Sequence, residues 1–315
     1  MITTNINEAV EVLKAEGVIG MPTETVYGLA GSAFSEKAIR NIYKIKNRPS
    51  ENPLIVHVAS EDNLMDIVNF IPGELKLLMK YFSPGPITFL LPKTNKIIDL
   101  ITSGSPNVAI RIPSHSVAQE LLQKVNIPLV APSANPFQRI SPINACQVDK
   151  YFEKENLLTL EGGISKFGVE STIVGFDSGK VNLYREGFVT QVEIEKVLNT
   201  SIVDKSKSKI IEAPGMYKKH YAPNCDMIIA EDWEKEIGRW KAKKIGLITL
   251  NSTNVNVFHK IHLSKKNSTK EALTNLYSAL HEMENKKVDL IITHLFPNDE
   301  YGSILNDRIY KASAK

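Results

Sequence analysis

The sequence predicts two domains: a strand-rich α+β domain over the first two hundred residues, and a small doubly wound α/β domain at the C-terminal end. Three observations lead there. Short apolar runs bounded by Gly and Pro recur through the first part, with helices interspersed irregularly rather than in strict β–α–β alternation. From about residue 225 strand and helix patterns do alternate. Between them, Asp204-Lys205-Ser206-Lys207-Ser208-Lys209 and Ala213-Pro214-Gly215 have the polar, charged and bent composition of a linker. The expected divisions are therefore 1–200, a linker at 201–224, and 225–315.

Taken in order, Asn7 reads as a helix cap ahead of Ala9, Val10 and Leu13, with Gly17 as the stop. Val18-Ile19-Gly20-Met21 is too short for a helix and reads as a buried strand ended by Pro22. A hydroxyl-rich turn, Thr23 to Gly28, follows. Ser35 opens a helix with Ala38, Ile39, Ile42 and Ile45 on one face, ending in Lys44, Lys46 and Arg48 before Pro49. Leu54–Val58 is a second buried strand interrupted by His57. Ser60 to Tyr81 reads as helical with a break at Pro72-Gly73. Ser83-Pro84-Gly85-Pro86 is a turn, and Ile87–Leu91 and Val108–Pro113 are strands, the latter carrying Arg111. His115–Val125 has a helical period, and Pro128–Ala131 is a strand leading into Pro132-Ser133-Ala134-Asn135. Leu157–Leu160, Ser171–Phe176 and Val181–Tyr184 complete the first domain's strands.

In the second part Met227–Ala230 and Ile245–Leu250 flank a helix carrying Trp233, Ile237 and Trp240. Ser268-Thr269-Lys270-Glu271 is a capping box that opens a helix with Leu273, Leu276, Tyr277, Leu280 and Met283 inward, and Val288–Ile292 is the next strand. No Gly-x-Gly-x-x-Gly is present, so no dinucleotide is expected here.

The net charge of +3 admits an anionic substrate but is too small for a dedicated nucleic-acid binder. Cys146 and Cys225 are too few for a disulfide framework, the first ten residues lack the pattern of a signal peptide, and no apolar run reaches membrane-span length. A cytoplasmic protein with no membrane partner is expected. There is no phosphate loop, Cys-x-x-Cys, His-Glu-x-x-His or Gly-x-Ser-x-Gly, and the seven histidines are scattered, so no protein-held metal site is expected.

What remains is a set of cations and small polar groups. A lone Lys or Arg after a helix is ordinarily a solvated charge, and Lys46 and Arg48 taken singly fit that description. Arg111 and Arg185 differ, because each sits in or just after an apolar strand and needs an anion from the protein or from a ligand. Thr25, Asn52, Ser133, Asn135, Ser141 and Ser171 would individually be turn or cap residues. Ser133 and Asn135, one residue apart in extended chain, would point to one side and could grasp one phosphate or a carbamate.

Pro22 to Leu29 (PTETVYGL), Lys46-Asn47-Arg48 and Ser133-Ala134-Asn135, in this order and spacing, resemble the YrdC/Sua5 family of L-threonylcarbamoyladenylate synthases. The linker sequence PGMYKKHYAP resembles its two-domain form. The resemblance implies a twisted mixed sheet around a concave cleft, followed by a C-terminal α/β domain. It implies that ATP is held by Lys46, Arg48, Asn52, Asn107, Ser133, Asn135, Ser141 and Arg185, with Tyr217 brought over by the linker. It places Thr25, His57, Arg111, Ala131 and Ser171 against threonine, with Arg111 on the carboxylate and Lys46 and Arg48 as the catalytic cations.

The implied reaction joins threonine, bicarbonate and ATP into threonylcarbamoyl-AMP and pyrophosphate, with magnesium carried on the ATP phosphates. The product would pass to a transferase complex that makes threonylcarbamoyladenosine at tRNA position 37. The resemblance also implies a monomer without a stable tRNA complex. Two other readings stay open from the residues alone. One is an RNA-binding protein using a cationic cleft, and the other is a ligase that adenylates a different amino acid.

Overall fold

The structure, a computed structural model, describes residues 1–206 and 220–314. These fall into two compact units, one of Met1–Phe137 with the chain from Pro142, the other of Gln138–Ser141 with the C-terminal part of the chain. Among the described residues no helix is long and apolar enough to cross a membrane.

The first unit runs β1 (Ile2–Thr3), α1 (Ile6–Lys14), β2 (Ile19–Met21), β3 (Gly28–Ser32), α2 (Glu36–Lys46) and β4 (Ile55–His57). It continues with α3 (Gly73–Phe82), β5 (Ile87–Pro92), α4 (Asp99–Thr102), β6 (Asn107–Arg111), α5 (Ser116–Val125) and β7 (Leu129–Val130). Then come α6 (Ala145–Tyr151), β8 (Leu158–Leu160), β9 (Thr172–Asp177), β10 (Lys180–Arg185), α7 (Gln191–Leu198) and β11 (Val203–Asp204). The strands form one mixed sheet ordered β1-β8-β2-β3-β7-β4-β6-β5-β9-β10-β11. This is the mixed-sheet α+β fold that the sequence predicts.

Side chains alternate across a sheet, and the two faces here bury different partners. Leu29, Val56, Phe89, Leu91, Val108, Ile110, Val130, Val174 and Leu183 point into the main core with Ile39 and Ile42 of α2, Leu75 and Leu78 of α3 and Ile194 of α7. Ile19, Met21, Ala30, Leu129, Ala131 and Leu160 point the other way, into a second core with α1 and α5. Farther along that second face Ile55, Leu90, Ala109, Ile173 and Tyr184 form a small apolar patch of their own.

The second unit is β12 (Asp226–Ile229), α8 (Trp233–Arg239), β13 (Ile245–Thr249), β14 (His259–His262), α9 (Thr269–Asn285), β15 (Leu290–Thr293) and α10 (Glu300–Ser313). Its four strands are all parallel in the order β12-β15-β13-β14, the pattern expected of a small doubly wound domain. Ser268 caps α9 through Glu271 N, and Leu273, Leu276, Tyr277, Leu280 and Met283 are buried as expected.

Three local expectations need correction. The first helix is capped by Asn5, whose side chain accepts from Asn7 N, and the helix ends at Ala15 rather than Gly17. Burying Ile6 starts the helix two residues earlier. Residues 60–71 are not a helix. Leu64, Ile67 and Val68 are buried with helical spacing, but the backbone leaves after a short 3₁₀ turn, Glu61–Asn63, to meet the end of β5 through Asn69 N and the Pro92 carbonyl. Ser133–Asn135 is not extended: Asn135 N donates back to the Ser133 carbonyl, closing a tight turn.

Candidate active site

Strands β7, β4, β6, β5, β9 and β10 are neighbours, and their register builds the site. His57 pairs with Leu129 and Arg111, and Arg185 pairs with Ile173. His57 lies two residues from Ile55, Arg111 two from Ala109, Thr88 two from Leu90 and Ser171 two from Ile173. By alternation all four therefore share the face that carries the apolar patch. β4 and β6 run parallel, so the Asn52–Pro53 and Asn107 ends lie on one side and the His57–Arg111 ends on the other. Four residues separate Asn107 from Arg111, roughly 13 Å at the usual strand rise.

At the first end the long helix α2 delivers a cation into the interior. Asn47 adopts the left-handed conformation that ends α2 (φ 51°) and aims Lys46 inward. Lys46 is 1% exposed, and its Nζ lies 2.5 Å from the carbonyl oxygens of both Ser133 and Asn135. Backbone oxygens of the turn, rather than the two side chains, therefore face this cation. Burial first, and the adjacent Arg48 charge second, hold the Lys46 ammonium well below its usual pKa. Two cations so close together, both buried, make a place where an anion lowers the energy.

Arg48 is fixed by Asn52. Its Nη2 donates to Asn52 Oδ1 at 2.5 Å and to the Pro53 carbonyl at 2.8 Å, while Nε reaches the Asn52 carbonyl at 3.2 Å. Asn52 is fully buried, and its Nδ2 is a donor without a hydrogen-bond partner among the described residues. Asn107, at the start of β6, stands level with Pro53.

At the other end Arg111 is anchored on three sides. Nη2 lies 2.6 Å from Glu24 Oε1, Nη1 donates to Thr25 Oγ1 at 2.7 Å, and Nε donates to the Gly85 carbonyl at 3.2 Å. The buried charge in an aliphatic strand thus has its anion within the protein, in the hydroxyl-rich turn after β2. Burial alone would raise the Glu24 carboxyl, but the Arg111 charge and hydrogen bonds outweigh it and hold the pKa below its ordinary value. His57, 2% exposed beside Arg111, is pushed down to about 3 by burial and then by that cation, so its ring is neutral.

Ser171 joins this group to Arg185. Arg185 Nε donates to the Ser171 carbonyl at 3.0 Å and Nη2 to Ser171 Oγ at 3.1 Å, and Thr88 Oγ1 stands 2.7 Å from the same hydroxyl. Ala131 borders the patch, its backbone N donating to the Ile55 carbonyl.

Thus His57, Arg111 and Ser171 lie along this face with Thr25, Ala131 and Arg185 beside them, while Lys46 and Arg48, from the end of α2, meet Ser133, Asn135 and Asn52 at the end of the sheet where Asn107 begins β6. Ser141 groups with the second compact unit, where its carbonyl lies 3.0 Å from His281 Nε2. Tyr217 lies outside the described residues. Sequence reasoning passed over Glu24, Thr23 and Thr88; a buried arginine demanding an anion, together with one acid inside a hydroxyl-rich turn, was the available signal for the first. The four cations Lys46, Arg48, Arg111 and Arg185 are each under one-tenth exposed, which suits a small anionic ligand and not a nucleic-acid surface.

The family described as "Telomere recombination" (Sua5, YciO, YrdC) matches residues 11–187, and the one described as "Threonylcarbamoyl-AMP synthase, C-terminal domain" matches 189–314. The threonylcarbamoyl-AMP synthase of Pyrococcus abyssi is 34% identical, over 99% of this chain and 97% of its own length. That of Bacillus subtilis is 34% identical, over 98% and 92%. The crystal structure of P. abyssi Sua5 complexed with L-threonine superposes with a TM-score of 0.92 at 33% identity, covering 98% of this chain and 94% of that one.

Proposed function

The chain belongs to the two-domain Sua5/YrdC family and makes threonylcarbamoyl-AMP, and from that premise we propose that ATP binds at the Lys46–Arg48 end of this face and L-threonine at the Arg111 end. The single observation that carries the placement is the pair of cationic groups at opposite ends of β4 and β6, separated by strand rather than scattered over the molecule.

The threonine amine takes up bicarbonate with loss of water, giving a carbamate. A carbamate oxygen then attacks the α-phosphorus of ATP, a P–O bond forms, and pyrophosphate departs with the electrons of the broken bond. Attacking and attacked groups are both anions. Lys46 and Arg48 lower the repulsion and stabilise the charge that grows on the phosphate, so no protein nucleophile is required. Arg48, held in place by Asn52 and Pro53, offers a phosphate its positive charge, and the Nδ2 donor of Asn52 adds a hydrogen bond to the same anion. Ser133, Asn135, Asn107, Ser141 and Tyr217 complete the nucleotide contacts in this reading. Arg185 holds a phosphate from beside Ser171. Arg111 takes the carboxylate, with Thr25, His57, Ala131 and Ser171 around the amino acid.

Among the described residues no three His, Cys, Asp or Glu side chains converge on one point, and Glu24 is committed to Arg111. In this reading magnesium would be carried by the ATP phosphates and water and would supply charge neutralisation there. The product is a mixed anhydride that a separate transferase complex would use to build threonylcarbamoyladenosine at position 37 of tRNA in the cytoplasm, with this protein acting as a monomer.

The test is incorporation of labelled bicarbonate into an AMP-linked product. Pyrophosphate release should require threonine and bicarbonate together. Release of equal size without either would overturn the assignment.

A further inference from the structure

Glu24 is an acid in a site built for anions. Its side chain is 4% exposed and sits against Arg111 Nη2, so the two together carry no net charge. The Arg111 charge keeps this carboxyl below its ordinary pKa and therefore ionised at neutral pH.

Hydrogen counting fixes the neighbouring hydroxyl. Thr23 Oγ1 gives its one proton to the Val26 carbonyl at 2.6 Å and accepts from Thr25 N at 3.2 Å and Val26 N at 3.3 Å, so any hydrogen bond across the 2.9 Å contact between the two hydroxyls is one that Thr25 donates. Thr25 already accepts from Arg111 Nη1. Its remaining lone pair can only accept. This corner of the site thus presents a neutral ion pair and an oriented acceptor.

A ligand bearing only a carboxylate would set two anions against one buried cation. A ligand bearing a carboxylate and an ammonium brings its own compensating charge and a donor for Thr25. We propose that Glu24 is a positioning residue that holds and neutralises Arg111, so that the site selects the zwitterion of threonine over the same molecule with hydroxyl in place of the amino group. The inference rests on the placement of threonine at Arg111 given above. It has a consequence for the reaction: ammonium and bicarbonate give carbamate, water and one proton, which leaves to solvent, so the reacting end changes from positive to negative and is favoured beside Lys46 and Arg48 rather than beside Glu24.

Calorimetric titration of the full chain with L-threonine and with 2,3-dihydroxybutanoate tests this. Wild-type protein should prefer threonine by at least about tenfold, the size expected of one misplaced charge in a shielded site. Glu24→Gln keeps the volume and an acceptor for Arg111 but removes the charge, and should cut the preference to less than about threefold, with Glu24→Asp restoring part of it. Wild-type protein that binds both ligands equally, or Glu24→Gln protein that keeps the wild-type preference, overturns the inference. Should Glu24→Gln fail to fold, Glu24→Asp decides: its shorter reach to Arg111 should narrow the preference below the wild-type value, and an Asp variant that keeps the full wild-type preference overturns the inference. Wild-type protein that binds neither ligand overturns the threonine placement itself, a different result from equal binding.

Discussion

The ammonium of Lys46 lies 2.5 Å from the carbonyl oxygen of Ser133, tying the last turn of α2 to the loop that follows β7. A buried cation that, among the described residues, is gripped by neutral oxygens is expensive in the free protein and valuable when an anion arrives.

Lys46→Met should therefore separate folding from catalysis. It removes a desolvated charge and two hydrogen bonds together, so the unfolding free energy should change by less than about 2 kcal/mol. Loss of transition-state charge stabilisation should lower kcat/KM by about 100-fold or more. Urea unfolding beside steady-state kinetics checks both, and a variant destabilised in proportion to its lost activity would make Lys46 a structural residue.

Asn52→Asp places a carboxylate where an amide oxygen now receives Arg48 Nη2. The new anion would satisfy Arg48 internally and repel the phosphates. The expected result is a rise in KM for ATP of about tenfold or more, with KM for threonine little changed. An unchanged KM for ATP would remove Arg48 from the nucleotide contacts.

Much of this site could be read along the chain, because its signals are local. The apolar face of α2 with cations at its end, the strand carrying His57, and Arg111 inside an aliphatic run are each visible within a dozen residues. The Glu24–Arg111 pair was not, since its partners meet only when β2 and β6 enter one sheet. The turn at Ser133–Asn135 escaped for a related reason: the carbonyls that hold Lys46 leave no mark in side-chain pattern. β3, Gly28–Ser32, is built of small residues with little strand preference. Helix α10 was hidden because Asn306 and Arg308 lie on its buried face among Ile304, Leu305 and Ile309. Asn306 is satisfied there by both backbone groups of Phe296, and Arg308 by Asp307 and the ring of Tyr221. In the second domain β12, β13 and β15 were legible as apolar runs, whereas β14, His259–His262, is mostly charged and polar, is only half-buried and left no such run.

His57 should make the protein acid-sensitive. Its pKa falls from 6.5 to about 3 on folding, so the unfolded chain binds the extra proton between those values. The stabilisation is complete above about pH 6.5 and is lost as pH falls through that window. Between pH 7 and pH 5 the loss from this group is on the order of 2 kcal/mol. Urea unfolding at the two pH values should show a difference smaller by about that amount in His57→Leu. An identical pH dependence in variant and wild type would mean that His57 titrates normally.

Gly187 lies against the peptide that positions Ser171. A Cβ there would stand 2.4 Å from Thr172 N, 2.5 Å from the Glu170 carbonyl oxygen and 2.6 Å from Ser171 C. Backbone cannot yield as a flexible side chain does, so Gly187→Ala should cost about 2 kcal/mol or more of stability. It should also displace Ser171 from Arg185 and raise KM for threonine. A wild-type melting temperature and KM would show that this backbone approach is looser than described.

The most direct measurement is a crystal structure of the full chain with L-threonine and a non-hydrolysable ATP analogue. The threonine carboxylate should lie within hydrogen-bonding distance of Arg111, about 2.7–3.2 Å, with the α-phosphate at the Lys46–Arg48 end. Nucleotide bound away from both Lys46 and Arg48, or threonine with its carboxylate turned from Arg111, would contradict the account.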